Sequence, residues 1–155
     1  MAVRIIGCGN VDRGDDAAGV LVARRLRALG LETIERSGEG FSLMESWSGW
    51  EHVILVDATA PSETPGQVSV WNARTDRLPE EVFPCSTHAF GVHEAVELAR
   101  AMDRLPQTLV IYGIEGKQFS LGAPLSSEVE RAVVTVAQQI RELVRDGAQL
   151  SIVSC

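Results

Sequence analysis

Three short apolar runs, Val3 to Ile6, Val53 to Val56 and Thr108 to Ile114, constrain this chain most, because none shows the in-out alternation of a half-solvated strand. Such runs belong to strands covered on both faces. Between them the apolar spacing turns helical. Ala17, Ala18, Val20, Leu21, Leu26 and Leu29 recur at that spacing up to Gly30, and a second such pattern runs from Phe90 through Val96, Leu98 and Met102. A long closing helix is expected over 126–144, with Ser126 or Ser127 as its N-cap. Two weaker strands are expected at Glu32 to Arg36 and Gln67 to Trp71, the latter alternating like an edge or antiparallel member. A short helix carrying Leu43, Met44 and Trp47 lies between the first of these and His52, and Asn72 to Thr87 reads as an extended loop. Strands alternating with helices predict an α/β fold with helices on both sides of a largely parallel sheet, in one domain over residues 1–155.

Composition narrows the function. With 155 residues and 45% hydrophobic content the chain can bury a core without disulfides or a structural metal. The net charge of −7 and the absence of a Lys/Arg run argue against nucleic acid. Arg24, Arg25 and Arg27 fall on the outer side of the first helix, as a solvated face would. Cys8, Cys85 and Cys155 are three and widely spaced, so no disulfide framework is expected. No apolar stretch approaches a membrane span, and the N-terminus lacks a signal-peptide pattern. We expect a soluble, cytoplasmic protein with no membrane insertion.

In open parallel sheets, ligands bind beyond the carboxyl ends of the strands. Three groups of chemical interest are expected at that rim. Gly7-Cys8-Gly9-Asn10 allows close backbone approach, and Asn10 can bridge loop amides, but the third glycine of a dinucleotide fingerprint is missing and Asp15-Asp16 would repel a pyrophosphate. Those two acids also suit the first turn of a helix, as N-cap and dipole partner. Asp57 closes the most apolar run of the chain, where a carboxylate needs a partner, a hydrogen bond or a cation. His88 follows in Cys85-Ser86-Thr87-His88, either as an ordinary loop histidine or as a ligand. Two carboxylates with one imidazole suit Zn²⁺ or Ni²⁺ and leave coordination positions open. Cys85 could add a thiolate, His93 falls on the face of a helix, and His52 reads as structural or exposed.

These segments, in order, resemble the hydrogenase maturation endopeptidases. Gly7-Cys8-Gly9-Asn10 with Asp15-Asp16-Ala17-Ala18-Gly19-Val20 is similar to their opening motif, and Val53-Ile54-Leu55-Val56-Asp57-Ala58 to their second acidic motif. Ser86-Thr87-His88-Ala89-Phe90-Gly91-Val92 resembles the histidine motif. Val110 to Gly116 and Leu125 to Glu130 resemble the C-terminal portion. The resemblance implies a phosphorylase/hydrolase-like three-layer sandwich and a site of Asp16, Asp57 and His88, serving both as metal ligands and in catalysis. It implies removal of a C-terminal peptide from a nickel-iron hydrogenase large-subunit precursor after nickel insertion. Nickel would arrive in the substrate, with Zn²⁺ or another divalent ion able to occupy the site. Where many members carry an Asp-Gly-Gly-Thr loop after the second strand, this chain has Arg36-Ser37-Gly38-Glu39-Gly40, with Glu39 offering an acid in its place. No Ser/His/Asp or Cys/His nucleophile emerges by spacing, which favours metal-assisted attack by water, with Asp16 or Asp57 as general base. The alternatives are a non-hydrolytic nickel-binding maturation factor, or another hydrolase on the same fold.

Overall fold

The computed structural model describes residues 2–83 and 91–147. Five strands form one sheet: β1 (Val3–Cys8), β2 (Thr33–Arg36), β3 (His52–Thr59), β4 (Val68–Asn72) and β5 (Thr108–Glu115), in spatial order β2-β1-β3-β5-β4. The first four in that order are parallel. Only β4 runs antiparallel, pairing Val70 with Tyr112 at the edge of β5. Helices α1 (Ala18–Ala28) and α4 (Ser127–Asp146) cover one face, and α2 (Gly40–Trp47) and α3 (Val92–Ala101) cover the other.

Period two in the central strands sends alternate residues into the two layers. Ile54, Val56 and Ala58 of β3 pack with Val22, Leu26, Val136 and Ile140, whereas Val53 and Leu55 pack with Leu43, Trp47, Val96 and Ile111. Helix α4 buries Val129, Ala132, Val133, Val136, Ala137 and Ile140, a stripe at i, i+3, i+4, i+7, i+8 and i+11. Each full burial of a Val or Ile side chain contributes about 1.5–3 kcal/mol. The surface helix pattern of the first arginines also holds. Arg24, Arg25 and Arg27 are exposed, and Arg24 and Arg27 pair with Glu35.

Three expectations shift. Strand β3 continues to Thr59, so Asp57 sits inside it rather than closing it; pairing of Asp57, Ala58 and Thr59 with Gly113, Ile114 and Glu115 carries the ladder on. The expected first helix begins as a separate 3-10 turn over Gly14–Ala17, which puts Asp15 and Asp16 ahead of α1 rather than in its first turn. The loop after β4 includes a 3-10 turn at Glu80–Val82.

Candidate active site

Beyond the carboxyl ends of β1 and β3, the chain leaves β1 through Gly9 and folds back over the strand ends before α1 begins. Gly9 has φ of +141°, and a Cβ there would run into the carbonyl oxygen of Asp16. Gly19, in the first turn of α1, faces the carbonyl of Val56 and the backbone of Cys8 so closely that no side chain fits. The two glycines press the turn carrying Asp16 onto the ends of β1 and β3. Asn10 secures it: its amide donates to Asp16 Oδ2 at 3.0 Å, and its own Oδ1 accepts from the Asp12 amide at 2.9 Å. Asn10 is expected to bridge loop amides; its side chain takes one, that of Asp12, and its backbone amide makes the bond to Asp16.

Asp57 follows Val53 and Leu55 on the α2/α3 side, the layer that also holds Cys8. It is 8% exposed, and its one hydrogen bond among the described residues is from the neighbouring Ala58 amide to Oδ1, at 2.8 Å. Burial, and then the negative charge of Asp16, push its carboxyl well above the usual carboxylate range; the Ala58 amide opposes them weakly. Asp16 is half-buried and also raised, by burial, against the Asn10 amide and the Arg13 charge. The buried Cys8 thiol is pushed up by burial, then by Asp57 and Asp16, while Arg36 on β2 pulls the other way. Asp16 and Asp57 thus form one electrostatic cluster. Together they attract a proton or a cation.

The adjacent acid behaves differently. Asp15 is 0% exposed and accepts four hydrogen bonds: from the amides of Lys117 (2.8 Å), Gln118 (3.1 Å) and Ser126 (2.8 Å), and from Ser126 Oγ (2.7 Å). Burial would raise its carboxyl, but the Ser126 hydroxyl and amide, with the other two amides, hold it below the usual range. The local-capping reading of Asp15 is therefore corrected: its partners come from the segment between β5 and α4. Ser126 does precede α4 as its N-cap residue, yet its hydroxyl serves Asp15 rather than the helix. Glu115 is a second satisfied acid, with Oε2 accepting from the amides of Ser62 (3.1 Å) and Thr64 (2.8 Å). Neither role was apparent from local sequence.

His88 and Cys85 lie outside the described residues. Among the described residues no three His, Cys, Asp or Glu side chains gather to hold an ion. His93 is in the first turn of α3 against Glu94, and His52 Nδ1 lies 2.8 Å from Thr108 Oγ1 at the opposite end of the sheet. Glu39 caps α2, accepting from the amides of Phe41 (3.0 Å) and Ser42 (2.9 Å). No helix among the described residues is long and apolar enough to cross a membrane.

Comparison with known proteins agrees with this architecture. The family model HycI, described as a hydrogenase maturation protease, matches residues 24–143. Protein FrxA of Pyrococcus furiosus is 31% identical over 138 residues, covering 86% of this chain and 98% of its own. The [NiFe] hydrogenase maturation protease HybD from Thermococcus kodakarensis superposes with a TM-score of 0.73 at 26% identity, covering 92% of this chain and 99% of its own. The hydrogenase maturating endopeptidase HybD from E. coli shares the fold, with a TM-score of 0.74 at 20% identity over 95% of this chain and 94% of its own. The order of motifs, the mixed five-stranded sheet and these matches place the chain in the hydrogenase maturation protease family, as an endopeptidase of that family.

Proposed function

We propose that Asp16, Asp57 and His88 engage nickel carried by the precursor of a nickel-iron hydrogenase large subunit, and that the enzyme then removes the precursor's C-terminal peptide in the cytoplasm. The observation that carries this reading is the state of Asp57: a nearly buried carboxylate with one hydrogen bond among the described residues, raised by burial and by the charge of Asp16. A pair of that kind is costly when both members are ionised and gains most from a divalent cation shared between them. Oxygen donors with one imidazole suit Ni²⁺ or Zn²⁺, and the modest donor set fits an ion that arrives with the substrate better than one held tightly at rest. A cation there supplies polarisation of the scissile carbonyl or of water.

The chain's own residues do the rest. The Gly9 turn and the Asn10 amide hold Asp16 at the strand ends, and β3 presents Asp57 from the sheet. One of the two carboxylates, Asp16 or Asp57, takes the proton of the attacking water. His88 enters from the resemblance of Ser86 to Val92 to the family's histidine motif. The test is to incubate the purified enzyme with nickel-loaded and nickel-free precursor. Loaded precursor should be cut without added metal, and nickel-free precursor should resist even with Zn²⁺ present; equal cleavage of both would refute the nickel requirement.

A further inference from the structure

The Asp15 carboxylate hydrogen-bonds to neither Asp16 nor Asp57, yet it is the most completely satisfied acid of the described structure. Its four donors lie 102 to 111 positions along the chain, between the end of β5 and the start of α4. Other bonds join the same two segments. The Asp15 amide donates to the Gln118 carbonyl at 2.9 Å, and the Gly122 amide donates to the Asp12 carbonyl at 2.7 Å. Gly14, with φ of +53°, faces the Gln118 carbonyl and Ala123 so closely that a Cβ would collide. The 3-10 turn carrying Asp16 is therefore held from below by glycine contacts with the strands and from behind by the 116–126 segment.

We propose that Asp15 and Ser126 form a latch that positions Asp16, so that the segment after β5 governs catalysis without contributing a group to the site. Adjacent residues in this turn point in different directions. Asp15 turns into the protein towards α4, and Asp16 stays half-exposed beside Asp57. Anchoring the first at four points removes the rotational freedom through which the second would drift from Asp57. Misplacing a reacting group by about 1 Å can cost ~100-fold in rate, so a small relaxation of the turn is enough to be read kinetically.

The inference rests on Asp16 being a site carboxylate, and the experiment separates the two claims. Cleavage of a hydrogenase precursor is measured for Ser126→Ala, Ser126→Thr, Asp15→Asn, Asp16→Asn and, as a control, Val136→Ala in the α4 core. Each melting temperature is recorded alongside. Ser126→Ala should lower kcat by ~10-fold with KM nearly unchanged. Ser126→Thr keeps the hydroxyl and should restore most of that loss. Asp15→Asn should lower kcat further, while Val136→Ala should lose stability without losing kcat in its folded fraction. If Asp16→Asn abolishes cleavage while Ser126→Ala behaves like Val136→Ala, the latch is overturned and the site reading stands. If Asp16→Asn cleaves normally, both fall together.

Discussion

Two acidic clusters sit at the same end of the sheet and are treated in opposite ways. On the side of β5, Asp15 and Glu115 are buried and accept four and two hydrogen bonds, almost all from backbone amides of distant loops. Over β1 and β3, Asp16 and Asp57 are half-buried and buried, and among the described residues each carboxylate accepts one amide; burial raises the proton affinity of both, and the charge of Asp16 raises that of Asp57 further. A carboxylate surrounded by donors stabilises the fold in its charged form. A carboxylate with a single donor among the described residues does not, and the proposed chemistry accounts for its place inside a well-packed layer. The contrast between adjacent residues Asp15 and Asp16 shows that local sequence type is not what separates the two roles. What separates them is where the donors are.

The contrast can be broken by substitution. The largest effect is expected for Asp57→Asn, which nearly conserves shape but removes the anion. Cleavage of a nickel-loaded precursor should fall by at least ~100-fold, with an unchanged circular-dichroism spectrum. A variant that unfolds, with wild-type activity in its folded fraction, would move Asp57 to the structural cluster. Next comes Asp15→Asn. An amide offers one acceptor where four donors converge, and it turns its own NH₂ against some of them. The loss should be roughly 3 kcal/mol or more, about 6–12 °C in melting temperature by calorimetry. Smallest is Glu115→Gln, where two neutral donors weaken their bonds to one side chain. A stability loss of about 1–2 kcal/mol with unchanged precursor cleavage is expected; a loss of activity in the folded enzyme would place Glu115 in the wrong cluster.

The fold was largely legible because β1, β3 and β5 are unbroken apolar runs and α1 and α4 carry clear stripes of buried residues. Element ends were less so. Strand β3 passes through Asp57 because its pairing with β5 continues to Glu115, and that partner is more than 50 residues away. The site was legible in part. A charge inside an apolar run drew notice to Asp57, but the same argument applies to Glu115 after Val110 to Ile114, and there two loop amides answer it. Asp15 read as a local helix-start residue because its donors, 102 to 111 positions distant, leave no local trace. Ser126 is the N-cap residue of α4 as expected, but the turn of its hydroxyl to Asp15 leaves no local trace either. What sets Asp16 apart from its neighbour and joins His88 to the two acids in the proposed site is the family resemblance, not spacing, and His88 lies outside the described residues.

The division between the clusters is tested most directly by the pH dependence of unfolding free energy, measured with chelator present for wild type, Asp15→Asn and Asp57→Asn between about pH 3 and 8. Asp15 has a folded-state pKa below its unfolded value, so its contribution is present above the ordinary aspartate range near 3.9 and is lost as pH falls through the lower folded value. The deficit of Asp15→Asn should therefore be greatest at neutral pH and shrink in acid. Asp57 is raised, so its protonated form contributes stability that is fully present below about 3.9 and lost as pH rises through the higher folded value. Asp57→Asn should gain on wild type as pH rises across that interval, the opposite slope. If Asp57→Asn instead loses ground with rising pH, as Asp15→Asn does, then Asp57 is a satisfied structural acid and the account of the site is contradicted.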